Sequence, residues 1–158
     1  MSTRVTSYRA AAALTLAGVL SLMGCAHLVV LHDPLTAGEH TNLGVAYESA
    51  GQLDLAASEY RHALRLDPHR AVPRVNLGNV EAAQGRWSSA EKCYRRALAD
   101  SSTNLDAMNN LAISLLRQGR QLDEARTLAE RAVAAGSGRD SIYRATLAEV
   151  KSGGHAEP

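Results

Sequence analysis

Two patterns of apolar and polar positions divide the 158-residue chain. The sequence from Ala10 to Gly24 is uncharged and mostly Ala, Leu and Val, and only Arg4 and Arg9 carry charge before it. From residue 37 onward, small and apolar positions recur in segments rich in Ala and Leu, which lose little side-chain freedom in a helix. The first pattern predicts an N-terminal targeting or anchoring segment, and the second predicts a helical domain.

The helical part of the sequence repeats itself with an offset of 34 residues. The stretch NLGVAYESAGQLDLAASEYRHAL from Asn42 aligns with NLGNVEAAQGRWSSAEKCYRRAL from Asn76. The identical positions are Asn42, Leu43, Gly44, Gly51, Ala56, Tyr60, Arg61, Ala63 and Leu64, which recur as Asn76, Leu77, Gly78, Gly85, Ala90, Tyr94, Arg95, Ala97 and Leu98. A third copy begins at Asn110 and has one residue inserted in its turn. A period of this length is typical of repeat architectures.

These repeated positions resemble the tetratricopeptide repeat, a pair of antiparallel helices that stacks on its neighbours. The resemblance implies an all-α fold: a short right-handed superhelix of about three helix pairs plus a C-terminal capping helix. We expect the domain to cover residues 37–151. Its parts are expected to be repeats over 37–70, 71–104 and 105–138, a partial fourth repeat over 141–151, and then a disordered tail over 152–158.

The repeated glycines have two expected roles. Gly44 and Gly78 fall where the two helices of a repeat approach closely, and Ala112 nearly fills that role in the third repeat. A second set falls in the turn between helices, where a positive φ is often needed. This set consists of Gly51, Gly85 and Gly119.

Other positions predict local features of the helices. Tyr60 and Tyr94 are expected to fill the larger gaps between helices. The third repeat has Ala129 at that position, which predicts less regular packing there. Ser88 and Glu91 have the spacing of a capping box, in which each side chain binds the backbone at a helix start. We therefore expect a second helix to begin near residue 88.

The apolar N-terminal stretch ends in Leu22-Met23-Gly24-Cys25, which resembles the lipobox of bacterial lipoproteins. The resemblance implies a signal peptide over 1–24, cleavage before Cys25, and a diacylglycerol thioether with a further acyl chain on Cys25. Two or three acyl chains hold a protein firmly on a bilayer, whereas one chain holds it only marginally. Residues 25–36 are then the lipidated cysteine and a short tether, and this lipid is the only group attached to the chain.

An alternative anchor is compatible with the same stretch. If His27 is neutral, the uncharged run continues to Leu31, and its 22 residues are enough to span a bilayer as a signal anchor. Either interpretation places the repeats in the cell envelope. By the lipoprotein resemblance, the absence of Asp after Cys25 favours the periplasmic face of the outer membrane in a Gram-negative cell.

Composition and charge exclude several function classes. The net charge of +1 gives no electrostatic case for nucleic-acid binding. The six histidines lack metal-ligand spacing with Cys, Asp or Glu, so we expect no metal site, no cofactor and no small-molecule substrate. No catalytic constellation is recognisable, and the chain is predicted not to be an enzyme. A thiol-dependent enzyme that uses Cys93 is a minor alternative.

The inner surface of the stack is the predicted binding site. The repeat geometry places Asn42, Asn76 and Asn110 on this surface at intervals of 34 residues. An Asn side chain both donates and accepts, so it can pair with a peptide backbone of any sequence. A similar ladder holds extended peptide in the superhelical repeats of the O-GlcNAc transferase family. The alternative is that these asparagines support helix packing, and the sequence does not decide between the two.

Neighbouring positions complete the predicted groove. By repeat geometry these positions are Thr41, Val45, Glu48, Val75, Asn79, Asp106, Asn109 and Ile113. They make the groove polar with an apolar strip. Val45 and Val75 occupy positions where the carboxylate clamp for chaperone tails would need polar contacts, so we do not expect a chaperone-tail receptor.

The leading hypothesis is a membrane-anchored adaptor or scaffold that binds an extended peptide segment of a protein partner. Its predicted peptide-binding residues are Asn42, Asn76, Asn79, Asn109, Asn110, Val45 and Ile113. Small repeat lipoproteins of pilus assembly resemble this layout, and pilus, secretion or envelope assembly is the expected setting. The alternative is a non-catalytic accessory subunit that positions an envelope enzyme such as a peptidase.

Overall fold

The computed structural model of the chain describes residues 34–136 and 139–153. Seven helices and no strands occur within these ranges. They are α1 (Ala37–Ser49), α2 (Leu53–Leu66), α3 (Ala71–Ala83), α4 (Trp87–Asp100), α5 (Leu105–Arg117), α6 (Leu122–Ala134) and α7 (Asp140–Lys151). The prediction of an all-α repeat solenoid is confirmed.

The helices pack as successive antiparallel pairs. The most extensive contacts are within α1–α2, α3–α4 and α5–α6, and each pair packs on the next through its second helix. The first helices also touch their counterparts, α1 against α3 and α3 against α5, so they form one layer of the stack. We call the surface of α1, α3 and α5 the inner face. Helix α7 packs on both α5 and α6 at the end of the stack.

The core of the first two repeats depends on a tyrosine seated against a glycine. Tyr60 is fully buried and Tyr94 nearly so. A Cβ atom added to Gly44 would lie 2.5 Å from Cε1 of Tyr60, and one added to Gly78 would lie 2.8 Å from Cζ of Tyr94. Real side chains do not approach this closely, so the predicted close approach of the helices requires glycine at both positions.

The third repeat replaces this contact by two small residues. Ala112 stands at the glycine position and Ala129 at the tyrosine position, and both are completely buried in one apolar cluster. The methyl group of Ala112 is tolerated because the opposing residue is small. Leu111, Leu115 and Leu128 in the same cluster supply the apolar volume that the missing tyrosine would have filled.

The turns between paired helices are closed by glycines with positive φ. Gly51 and Gly85 have φ of +73° and Gly119 has φ of +64°, in agreement with the prediction. The inserted residue of the third repeat is Gln121, which precedes α6 with φ of +52°. The extra residue therefore takes a left-handed conformation that is uncommon for a side chain larger than glycine.

The predicted capping box at Ser88 and Glu91 is wrong. Helix α4 begins at Trp87, and the preceding residue makes no side-chain cap. The Ser88 hydroxyl instead donates to Oε1 of Gln118 (2.9 Å), which links α4 to the end of α5. A capping box does occur at Thr36 and Glu39, where Thr36 Oγ1 accepts from the Glu39 amide and Glu39 Oε2 accepts from the Thr36 amide.

Glu91 forms a charged junction between the second and third repeats. This buried carboxylate accepts hydrogen bonds from Arg95, Gln118 and Arg120. Burial alone would raise the pKa of Glu91, but these three hydrogen bonds together outweigh it and lower the pKa. Arg95 also donates to both carboxylate oxygens of Glu124 at 2.6 and 2.8 Å. The junction therefore stays ionised at neutral pH and joins the second and third repeats.

The glycine–tyrosine contact can be tested by one methyl group. Gly78→Ala should destabilise the domain by about 1–3 kcal/mol, because the added Cβ overpacks against the Tyr94 ring. Gly38→Ala is the matched control, because its Cβ would meet nothing closer than 3.8 Å and Ala favours a helix. Thermal and urea unfolding measure both variants. Equal stability of Gly78→Ala and the unmodified chain would contradict the contact.

Candidate functional site

The ladder asparagines of the second and third repeats contact the buried tyrosines of the preceding repeat. Asn76 hydrogen bonds to the hydroxyl of Tyr60, and Asn110 to that of Tyr94. Burial is the main cause that raises the pKa of both tyrosines well above the ordinary value, so both hydroxyls stay neutral. These asparagines therefore take part in packing between repeats.

The tyrosine hydroxyls in turn orient acceptors on the first helices. The Tyr60 hydroxyl donates to Oε2 of Glu48 (2.7 Å), and the Tyr94 hydroxyl donates to Oδ1 of Asn79 (2.8 Å). Glu48 and Asn79 lie on α1 and α3 respectively. Each buried tyrosine thus holds a polar side chain in place at the inner face.

A chain of carboxamides crosses the inner face from α5 to α3. Nδ2 of Asn109 donates to Oδ1 of Asn110 (3.1 Å), and Nδ2 of Asn110 donates to Oδ1 of Asn79 (2.8 Å). Oδ1 of Asn79 therefore accepts from both Asn110 and Tyr94. Because both bonds end on one oxygen, the position of the Asn79 side chain is fixed before any partner binds.

A cavity of about 500 Å³ lies on one side of the Asn79–Asn110 pair, between α3, α5 and α7. We call it the Asn109 hollow. Its walls carry two exposed apolar side chains, Val72 (61% exposed) and Ile142 (54% exposed). Its lining residues are Val72, Val75, Asn76, Asn79, Asn104, Asp106, Asn109, Asn110, Arg139, Ile142 and Tyr143.

A second depression of about 270 Å³ lies on the other side of the same pair. We call it the Trp87 hollow. Apolar groups from α3, α4 and α5 form most of it, and the half-buried ring of Trp87 forms one wall. Its lining residues are Asn79, Ala82, Ala83, Trp87, Tyr94, Asn110, Ile113 and Ser114.

Helix α7 is fastened to the inner face through Asp106. The Tyr143 hydroxyl donates to Oδ1 of Asp106 (2.9 Å), and Arg139 donates to Oδ2 of the same carboxylate. The hydrogen bond to Asp106 raises the pKa of Arg139. The negative charge in the Asn109 hollow therefore has a cation beside it.

The predicted site residues fall into three groups. Asn76, Asn79, Asn109 and Asn110 all line the Asn109 hollow, while Ile113 lines the Trp87 hollow. Asn42 and Val45 lie exposed on α1 and line neither hollow. Cys25, the predicted lipid site, lies outside the described residues.

The remaining inner positions have varied roles. Val75 and Asp106 line the Asn109 hollow. Thr41 is buried and donates to the Ala37 carbonyl (2.7 Å), and Glu48 is the acceptor of Tyr60. The sequence analysis did not identify Trp87 or the residues of α7 as part of the site. A signal existed only for Tyr143, which follows Asn109 by 34 residues within the partial fourth repeat.

The chemistry available to this site is recognition through hydrogen bonds and apolar contact. Within residues 34–136 and 139–153, no cluster of His, Cys, Asp and Glu could hold a metal ion. Cys93 is a free, partly buried thiol, and burial raises its pKa, so the reactive thiolate form is disfavoured. No helix in the described ranges is long and apolar enough to cross a membrane.

Comparison with known sequences places the repeat in a known class. Two family models, both described as tetratricopeptide repeat, match residues 75–140 and 48–100. The type IV pilus assembly protein PilF of Pseudomonas aeruginosa is 29% identical over 104 residues, covering 66% of this chain and 39% of PilF. Cellulose synthase operon protein C of Xanthomonas axonopodis pv. citri is 35% identical over 105 residues, 65% of this chain and 7% of that protein.

A third relative is the probable UDP-N-acetylglucosamine–peptide N-acetylglucosaminyltransferase SPINDLY of Arabidopsis thaliana. It is 33% identical over 83 residues, which are 52% of this chain and 9% of SPINDLY. The chain thus spans between 7% and 39% of the length of these relatives.

Solved structures with this fold include two tetratricopeptide domains. The first such domain of Spaghetti (RPAP3), bound to an HSP90 peptide, has a TM-score of 0.67 at 19% identity and covers 73% of this chain and 90% of its own. The Arabidopsis OM64 domain has a TM-score of 0.68 at 15% identity and covers 73% of this chain and 94% of its own. At these identities the likeness concerns the fold alone.

Proposed function

Because residues 48–140 carry tetratricopeptide repeats, we propose that this chain is a non-catalytic adaptor that holds an extended segment of a partner protein on its inner face. The observation that carries the proposal is the fixed carboxamide chain of Asn109, Asn110 and Asn79 between two hollows. Such a surface presents both donors and acceptors, which is what an extended backbone requires.

The position of the polar groups supports recognition in addition to packing. Asn79 is already held by two hydrogen bonds to its Oδ1, so a partner that binds it does not have to order its side chain. A site ordered in advance loses less conformational entropy on binding. The exposed Val72 and Ile142 beside it offer apolar contact to the same segment.

The adaptor is proposed to work at a membrane surface. Support comes from the sequence Leu22-Met23-Gly24-Cys25, which resembles a lipobox, and from the tether that would connect Cys25 to α1. The lipid on Cys25 would hold the repeats at the periplasmic face of the outer membrane. This arrangement confines the adaptor to the membrane plane, where it would meet other envelope components.

The proposed setting is the assembly of an envelope structure such as a pilus or a secretion apparatus. The similarity to PilF, named for type IV pilus assembly, supports it. A second candidate is a non-catalytic accessory subunit that positions an envelope enzyme. The relative named for a cellulose synthase operon favours that candidate. The match to SPINDLY covers 9% of that protein and carries no transferase activity over to this chain.

Partner capture can be tested by site-specific photocrosslinking in intact envelopes. A photoreactive residue in place of Val72, which is exposed and lines the Asn109 hollow, should give a discrete adduct with one protein. Lys92, exposed on α4, is the control position and should give none. An adduct from Lys92 with none from Val72 would mean that the other face of the stack binds the partner.

The lipid anchor can be tested separately by fractionation. Cys25→Ser should move the protein from the membrane fraction to the soluble fraction, because the thioether cannot form. Cys93→Ser, which removes the partly buried thiol, should leave the protein in the membrane fraction. Membrane retention of Cys25→Ser would favour the signal anchor over the lipid.

A further inference from the structure

The two hollows of the inner face differ in chemistry. Ala82, Ala83 and Ile113 make the Trp87 hollow predominantly apolar, and the ring of Trp87 stands half-buried at its edge. A hollow of about 270 Å³ with such walls accommodates one large aliphatic or aromatic side chain. A charged side chain placed there would lose its water without gaining a partner of opposite charge.

The Asn109 hollow contains a buried acceptor instead. Asn109 is 3% exposed, and its Oδ1 accepts no hydrogen bond from any residue that the structure describes. Its Nδ2 is engaged by Asn110, so the orientation of the amide is set. A buried acceptor left without a donor is costly, and a ligand that supplies an N–H or O–H removes that cost.

The charge state of this hollow narrows the donor further. The Asp106 carboxylate already accepts from Arg139 and Tyr143, so it is neutralised within the protein. An acidic ligand side chain would have no free cation to pair with and would meet the Asn109 oxygen. A lysine would have to lose its hydration beside a carboxylate that is already paired. The hollow is therefore matched to an uncharged donor such as the side chain of Ser, Thr, Asn or Gln.

The distance between the hollows fits an extended chain. Asn79 and Asn110 line both hollows, so the two are separated only by this hydrogen-bonded pair. In an extended segment, side chains two residues apart point to the same side and are separated by about 6–7 Å. The intervening peptide group would then cross the carboxamides of Asn79 and Asn110.

We propose that the inner face reads two side chains of its partner, spaced i and i+2: a large apolar residue in the Trp87 hollow and an uncharged hydrogen-bond donor in the Asn109 hollow. This inference rests on the proposed function, and it names the class of segment that the adaptor accepts. The Asn79–Asn110 pair contributes affinity for any backbone, while the two hollows discriminate among sequences.

A peptide array tests the inference on the unaltered protein. Nine-residue peptides with a Gly/Ser-free alanine background should carry every residue pair at two positions spaced i and i+2, and the full-length chain is the probe. Pairs that combine Leu, Ile, Met or Phe with Ser, Thr, Asn or Gln should bind at least fivefold more strongly than pairs with Ala at either position. Pairs with Asp or Glu at either position should bind no better than Ala. No preference, or preference for charged pairs, would overturn the inference.

Solution titrations then assign each hollow. Trp87 is the only tryptophan in the chain, so its fluorescence reports directly on the Trp87 hollow. A Leu/Ser peptide should shift the emission to shorter wavelength, while its Ala/Ser counterpart should need at least fivefold more peptide for the same change. Ile113→Asp should lower the affinity for the Leu/Ser peptide about tenfold with unchanged helicity by circular dichroism. Equal affinity of Ile113→Asp and the unmodified chain would overturn the assignment.

The inference and the proposed function fail in different ways. If Val72 crosslinks a partner but array binding is independent of sequence, the adaptor stands and the two-residue readout falls. If the array shows no binding and the crosslink comes from Lys92 alone, both fall. A preference confined to one position would overturn the paired readout and leave a single-residue pocket.

Discussion

The seating of Tyr60 and Tyr94 against glycines is the contact on which the rest of the structure depends. Neither ring could occupy its site if Gly44 or Gly78 carried a side chain, because a Cβ atom would lie inside the ring's contact radius. The rings fill the space between paired helices and are almost completely buried. A buried hydroxyl must find a partner. In both repeats that partner lies on a first helix, so core packing and the inner face are coupled.

This coupling gives the inner face its character. The Tyr94 hydroxyl and the Asn110 amide converge on one oxygen of Asn79, so a polar pair is held between the two hollows. The ladder asparagines therefore do not act as free side chains that wait for a ligand. The same residues stabilise the contact between repeats and present their remaining polar groups to the groove. The two interpretations of the ladder left open by the sequence are thus compatible in this geometry.

The sequence predicts the helix pairs well, because the glycines, tyrosines and alanines of the repeat recur at a fixed spacing and each has a steric reason to do so. It predicts the Asn109 hollow only in part. Asp106 is recognisable as an inner position, but its binding by Arg139 depends on how α7 docks, which no local pattern encodes.

Helix starts and side-chain burial are harder still to predict. Ser88 and Glu91 have the spacing of a capping box, yet both side chains bind residues at the end of the third repeat's first helix or in the turn that follows it. Asn42 repeats in sequence with Asn76 and Asn110, but no preceding repeat supplies a tyrosine to it in the described chain, and it stays exposed. Tertiary contacts decide such positions, and one sequence does not contain them explicitly.

The most direct test of the account is nuclear magnetic resonance of the asparagine side-chain amides during titration with the partner segment captured at Val72. The account predicts that the Asn79, Asn109 and Asn110 amide resonances shift together as the segment saturates the protein. The Asn42 resonance should stay in place, because Asn42 lines neither hollow. Shifts confined to Asn42, or to residues of α2, α4 and α6, would contradict the claim that the partner binds between α3, α5 and α7.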